Sequence, residues 1–182
     1  MEVGKTLRAR TRGEWRRWLT NHHESADEIW LVFHKKASGK AFVPYADAVE
    51  EALCFGWIDS VVKPLGDGSR AQRFTPRRGG SKMSELNKER ARSLIERGFM
   101  TEAGLAAAGD LSPDQFKMSA PILRALKEDP DVWANFQSFP ESYQRVRIGW
   151  IQNTTGAPDV QTQRLKYFIK MTKAGKKFGS HQ

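Results

Sequence analysis

Two short stretches carry side chains whose types and spacing suit polar chemistry. Trp57-Ile-Asp-Ser60 ends an apolar run in an acid and a hydroxyl, and Gln72-Arg-Phe-Thr-Pro-Arg-Arg78 presents Arg73, Thr75, Arg77 and Arg78 around a proline. Ser81, Ser84 and Asn87 follow closely. Guanidinium groups bind phosphate or carboxylate bidentately, and a helix starting at Ser84 offers unpaired N–H groups and the positive end of its dipole. Asp59, Ser60, Arg73, Thr75, Arg77, Ser81, Ser84 and Asn87 therefore form a candidate binding site for an anionic ligand or partner. Alternatives stay open for each charge. Asp59 could bind a cation, orient Arg77, act as a general base, or hold the hairpin through an ion pair with a neighbouring arginine. Those arginines could equally pack on Trp57 or pair with Asp59.

Other reactive groups point less far. Cys54 sits on an apolar stretch with no histidine near it in sequence, which reads as buried rather than nucleophilic. His22 and His23 are adjacent rather than four apart, and no Cys/His zinc spacing exists. There is no phosphate-binding loop, dinucleotide fingerprint or nucleophile elbow. No catalytic residue, metal or cofactor is assigned, and an enzyme at the Asp59/arginine site ranks last among three readings. The six tryptophans fall at helix or strand spacing, so core packing is their default role.

The elements that must position these groups follow from periodicity. Trp15, Trp18, Leu19 and His22 predict a helix over 13–22. Ile29-Trp-Leu-Val-Phe33 reads as a buried strand, a turn is expected over 35–40 and a short extended piece over 41–43. Pro44 opens a helix over 45–55, with Asp47, Glu50 and Glu51 outward and Gly56 as its stop. Strands over 57–62 and 70–75 make a hairpin-like pair. Ser84 caps a helix to about residue 97, with Leu86, Ala91, Leu94 and Ile95 inward, and Thr101 starts a short one reaching Ala108. Strand signals then vanish. Helices are expected near 121–127, 130–137, 140–153 and 158–174, three of them with proline at the start, and a mobile basic tail from Gly175. The fold class is α+β: N-terminal helices around a small, mostly antiparallel sheet, then an all-helical region.

Length and charge bound the rest. The 182 residues suffice for a domain with a smaller companion, and no apolar run approaches the ~18 residues of a spanning helix. The first ten residues lack the apolar centre of a secretory signal, and one cysteine cannot form an intrachain disulfide, so a cytoplasmic protein is expected. Net charge is +9, in three basic blocks (1–20, 63–97 and 141–182) separated by two acidic ones. That favours an anionic small molecule, an acidic protein surface or nucleic acid as partner. The last helix carries Arg164, Lys166, Lys170, Lys173, Lys176 and Lys177, a stripe that could meet nucleic acid or simply be solvated.

The runs Ala52-Leu-Cys-Phe-Gly-Trp-Ile-Asp-Ser60, Arg73-Phe-Thr-Pro-Arg-Arg78 and Ser81-Lys-Met-Ser-Glu-Leu-Asn87, with Ile148-Gly-Trp-Ile151 and the final basic helix, resemble the YdeI/OmpD-associated, or bacteriocin-protection, proteins. The resemblance spans nearly the whole chain. It implies an association with outer-membrane porin and with bacteriocin or stress phenotypes, a phenotype rather than a chemistry, and the first reading of function is a non-enzymatic stress- or bacteriocin-protection-type protein. It also implies a boundary near 109–120: an N-terminal α+β domain over 1–108, a linker over 109–120, and a C-terminal helical domain of YdeI/OmpD-associated type over 121–182. The chain departs from the family pattern at Met83, where a tryptophan is usual. It departs again over 154–161, which lacks the usual lysine and first arginine, leaving Arg164 to match the later one.

Overall fold

Thr11 opens the first helix, α1 (Arg12–His22): its hydroxyl accepts the Glu14 N–H at 3.2 Å, satisfying one of the free donors of the first turn. Trp15 and Leu19 bury the inner face of α1. The five apolar residues of β2 (Ile29–Phe33) are all buried, as an uninterrupted apolar run requires. Proline precedes α2 (Tyr45–Cys54), and Gly56, at φ +73°, turns the chain from that helix into β3 (Trp57–Pro64). β4 (Arg70–Pro76) returns antiparallel to β3 and pairs antiparallel with β2 on its other side. The computed structural model describes residues 2–35, 39, 41–154 and 156–179, so the turn expected over 35–40 and the end of the tail lie largely outside the described residues.

The sheet runs β1-β2-β4-β3, and β1 (Thr6–Leu7) lies parallel to β2, so it is mixed. Two residues leave no periodicity to read, which is why β1 carried no signal. Residues 41–43 join no strand; Val43 instead donates its N–H to the Ala9 carbonyl at 3.1 Å. A register shift between Asp59 and Val62 makes a bulge in β3.

After α3 (Glu85–Glu96) and α4 (Glu102–Ala108) the chain is helical: a 3-10 turn at Pro113–Gln115, then α5 (Ala120–Lys127), α6 (Pro130–Ser138), α7 (Glu141–Gln152) and α8 (Pro158–Lys173). Two compact units result, Met1–Lys82 with Arg90–Asp110, and Met83–Glu89 with Leu111–Gln182. The first has its core in Trp15, Leu19, Trp30, Leu31, Phe33, Trp57 and Phe74. The second has its core in Ile122, Leu126, Val132, Phe136, Tyr143, Ile148, Ile151 and Phe168.

Three expectations about burial are corrected. Glu51 does not point outward: it is 2% exposed, with one carboxylate oxygen taken by Arg12 and the other by Arg16 at 2.7 Å. A carboxylate can be buried at that depth because two guanidinium groups from α1 replace its water. Ile95 is exposed rather than inward. Past Gly175 the chain is not a free tail, because Phe178 packs against the second core and donates its N–H to the Tyr143 hydroxyl at 3.0 Å.

Candidate functional site

The eight residues expected to form one site divide between the two units. In the first unit Asp59 lies half-buried on β3, and its Oδ2 accepts the Tyr45 hydroxyl at 2.6 Å and the Gln72 amide at 3.2 Å. Its partners are therefore a phenol from α2 and an amide from β4; it pairs with neither Arg73 nor Arg77. Arg73 is committed elsewhere, with Nε and Nη2 both 2.6 Å from Glu28 Oε2. That bond, with a second from Trp30 Nε1, holds the Glu28 carboxyl below its ordinary range. Ser60 is exposed and reaches only the Arg73 carbonyl, at 3.5 Å, while Thr75 faces Ile58 across the ladder.

Arg77 is half-buried, and its Nη2 donates to the Ser81 carbonyl at 2.7 Å, folding the loop between them back on itself. Its Nε is buried with no hydrogen-bond partner, and burial pushes the guanidinium pKa down. Of the six first-unit residues, Arg77 alone has a buried donor facing no acceptor.

Ser84 and Asn87 belong to the second unit, where Ser84 caps α3 by accepting the Asn87 N–H at 3.3 Å. Ser84 also lines a pocket of about 260 Å³ whose other walls are Glu85 and Leu86 from α3, Val146, Arg147, Gly149 and Trp150 from α7, Asn153, and Arg164 from α8. The sequence explains how these walls come together. At Gly149 a Cβ would lie 2.8 Å from Glu85 Cγ, so only glycine lets the first turn of α3 sit against α7 there. One turn along, Arg145 clamps Glu89 with Nε at 3.0 Å and Nη2 at 2.9 Å.

Arg147 is the unusual member. It is 7% exposed, lies over the rings of Tyr143 and Phe178 at 5.3 and 5.0 Å, and has no carboxylate partner among the described residues. Ring stacking engages the faces of a guanidinium, and Arg147 Nε is buried without an acceptor. Burial pushes its pKa down, yet an arginine stays charged. Arg164 lies over the Trp150 ring at 4.7 Å and donates to the Trp150 carbonyl, which fixes the aromatic wall. The pocket's one carboxylate, Glu85, holds Lys88 at 2.8 Å through Oε1, while its Oε2 is buried without a partner.

Arg147, Glu85 and Trp150 were not among the expected site residues. The signal for Arg147 was present: a cation directly between the apolar Val146 and Ile148. Among the described residues no cluster of three metal-ligating side chains forms.

A family model described as bacteriocin-protection, YdeI or OmpD-associated matches residues 115–175. A second model, described as a domain of unknown function (DUF8412), matches residues 7–107, the segment holding the Ala52–Ser60 run. No curated protein and no solved structure matches the chain.

Proposed function

We propose a function from the premise that the chain belongs to the bacteriocin-protection, YdeI or OmpD-associated family through residues 115–175 and to a family of unknown function through residues 7–107. It is a bacteriocin-protection-type protein that acts by binding a small anionic ligand in the pocket of its second unit, with Arg147 as the principal anchor. The observation that carries this reading is the pocket-lining Arg147, 7% exposed and with no carboxylate partner among the described residues. An unpaired buried charge is costly, by several kcal/mol per ion, and a ligand carboxylate or phosphate would remove that cost.

Arg164 and the capped start of α3 support the same sign of ligand, since each adds positive potential at the pocket. The first-unit residues fit the reading less well. Arg73 is neutralised by Glu28, and Asp59 is taken by Tyr45 and Gln72.

Calorimetric titration with inorganic phosphate and with 3-phenylpropanoate tests the reading. Replacing Arg147 with Met, which keeps the ring packing, should weaken binding roughly 10- to 150-fold, the loss of a hydrogen bond to a charged group. Replacing Arg73 should leave affinity unchanged. Equal affinity of wild type and Arg147→Met would show that the guanidinium serves packing alone.

A further inference from the structure

The outer face of α8 and the residues after it combine two features that the pocket does not use. Lys166, Lys170 and Lys173 recur four and three residues apart, so they share one side of the helix, and all three are exposed. Lys173 is held by Asp129 at 2.7 Å. Lys166 and Lys170, and beyond the helix Lys176 and Lys177, are exposed with no acid paired to them among the described residues. The second feature is Tyr167, a large ring left 47% exposed next to Lys166 in the same helix. Its ring neighbour among the described residues is Phe178, at 4.8 Å and an interplanar angle of 74°. Phe178 is itself anchored, since its N–H donates to the Tyr143 hydroxyl, and it directly follows Lys176 and Lys177. One exposed ring thus has a lysine pair beside it on the helix and a second pair beside its aromatic neighbour.

We infer that this surface binds single-stranded nucleic acid, with phosphates at the four lysines and a base stacked on Tyr167. Charge selects a polyanion, and the exposed ring narrows the class. A single strand carries a phosphate and a flat π-face in every unit, which matches lysines set around an aromatic side chain. A duplex presents the same phosphates but keeps its bases stacked inside. An acidic peptide offers carboxylates without a ring at each unit. Either would leave Tyr167 unused. Ammonium groups are point charges and every base has a π-face, so binding should depend little on base sequence. Arg164, the other cation of α8, takes no part, because it lies over Trp150 and donates to that residue's carbonyl. The inference therefore stands apart from the pocket and its small ligand.

Fluorescence anisotropy with the full chain should compare three probes: a short oligothymidylate, an abasic strand of the same length, and a short duplex. Oligothymidylate is expected to bind roughly 5- to 150-fold more tightly than the abasic strand, the worth of one stacked base. Its slope of log affinity against log salt should lie near about −2.8, from roughly −0.7 for each of four contacts. Tyr167→Ala should remove the preference and leave affinity for the abasic strand and the duplex where it was, which also reports that the lysine face is intact. Tyr167→Phe should keep the preference, and Lys166→Glu with Lys170→Glu should weaken both strands. Equal affinity of wild type for oligothymidylate and the abasic strand, or a preference that survives Tyr167→Ala, would overturn the inference. So would a Tyr167→Ala variant that loses duplex and single strand alike, or no binding of oligothymidylate near physiological salt. Binding to phosphatidylserine vesicles without affinity for oligothymidylate would reassign the face to a lipid surface.

Discussion

Tyr45 donates its phenol proton to Asp59 at 2.6 Å, and burial, reinforced by that bond and by the Asp59 charge, pushes its pKa from 10 up to about 12. A raised value in the folded state makes the neutral phenol a source of stability that is fully present below about pH 10. That stability drains away as pH rises to about 12, because the unfolded chain gives up its proton first. In an absorbance titration at alkaline pH, one of the three tyrosines is expected to ionise late in wild type. Asp59→Asn should lower the Tyr45 midpoint toward the ordinary phenol value. If that substitution leaves the titration unchanged, burial alone sets the shift. The same residue shows where reading a sequence stops at this scale. Asp59 is conspicuous as an acid ending an apolar run, yet its partners come from an α2 residue 14 positions earlier and a β4 residue 13 positions later. Arg73 finds Glu28 across 45 positions. A guanidinium's availability depends on that kind of distant partner, so Arg73 looked free and was not, while Arg147 looked ordinary and has no acid beside it among the described residues.

Helices and strands were far more legible, because their signals are local. Apolar spacing, the hydroxyl caps at Ser84 and Thr101, and prolines at or just before helix starts placed α1 through α8 closely. What was not legible is how two elements of the first unit join end to end. The Cys54 carbonyl, at the close of α2, accepts both the backbone N–H of Thr101 at 3.0 Å and its hydroxyl at 2.6 Å. Thr101 in turn caps α4 by accepting the Gly104 N–H at 3.2 Å. One helix's unpaired carbonyl is thus satisfied by the cap of the next. This requires that Gly104 carry no side chain, since a Cβ there would overlap the Cys54 carbonyl. Gly104→Ala is expected to destabilise the protein by at least about 1–3 kcal/mol, the usual cost of overpacking against unyielding neighbours. That should lower the thermal midpoint by roughly 2–12 °C for a chain of this size. Gly79→Ala serves as control: a Cβ there meets nothing within 4 Å, and its effect should stay within about 0.5 kcal/mol. Equal melting of the two variants would mean that α4 can shift away from α2 without loss.

Across the whole chain, the alternation of basic and acidic blocks resolves into specific neutralisation. Arg12 and Arg16 are answered by Glu50 and Glu51, Arg73 by Glu28, and Arg145 by Glu89. These pairs fix where four of the thirty basic side chains are held, while the net charge of +9 is the excess that no pairing removes. The basic stripe of α8 and the residues after it is different. Lys166, Lys170, Lys173, Lys176 and Lys177 are all exposed, and among the described residues only Lys173 is tied down, to Asp129 at 2.7 Å. Four lysines thus remain to meet phosphates. Contact with duplex DNA through them should be electrostatic and blind to sequence, with a slope of log affinity against log salt near −0.9 per contact, roughly −3.6 in all. Between about 50 and 200 mM salt, affinity for a short duplex should fall on the order of 10²-fold. Replacing Lys166 and Lys170 with Glu should flatten the slope by about half. A slope twice as steep, indifferent to that double substitution, would move the contact surface away from α8 to the other basic blocks and make nucleic acid a stronger candidate partner than the pocket's small ligand.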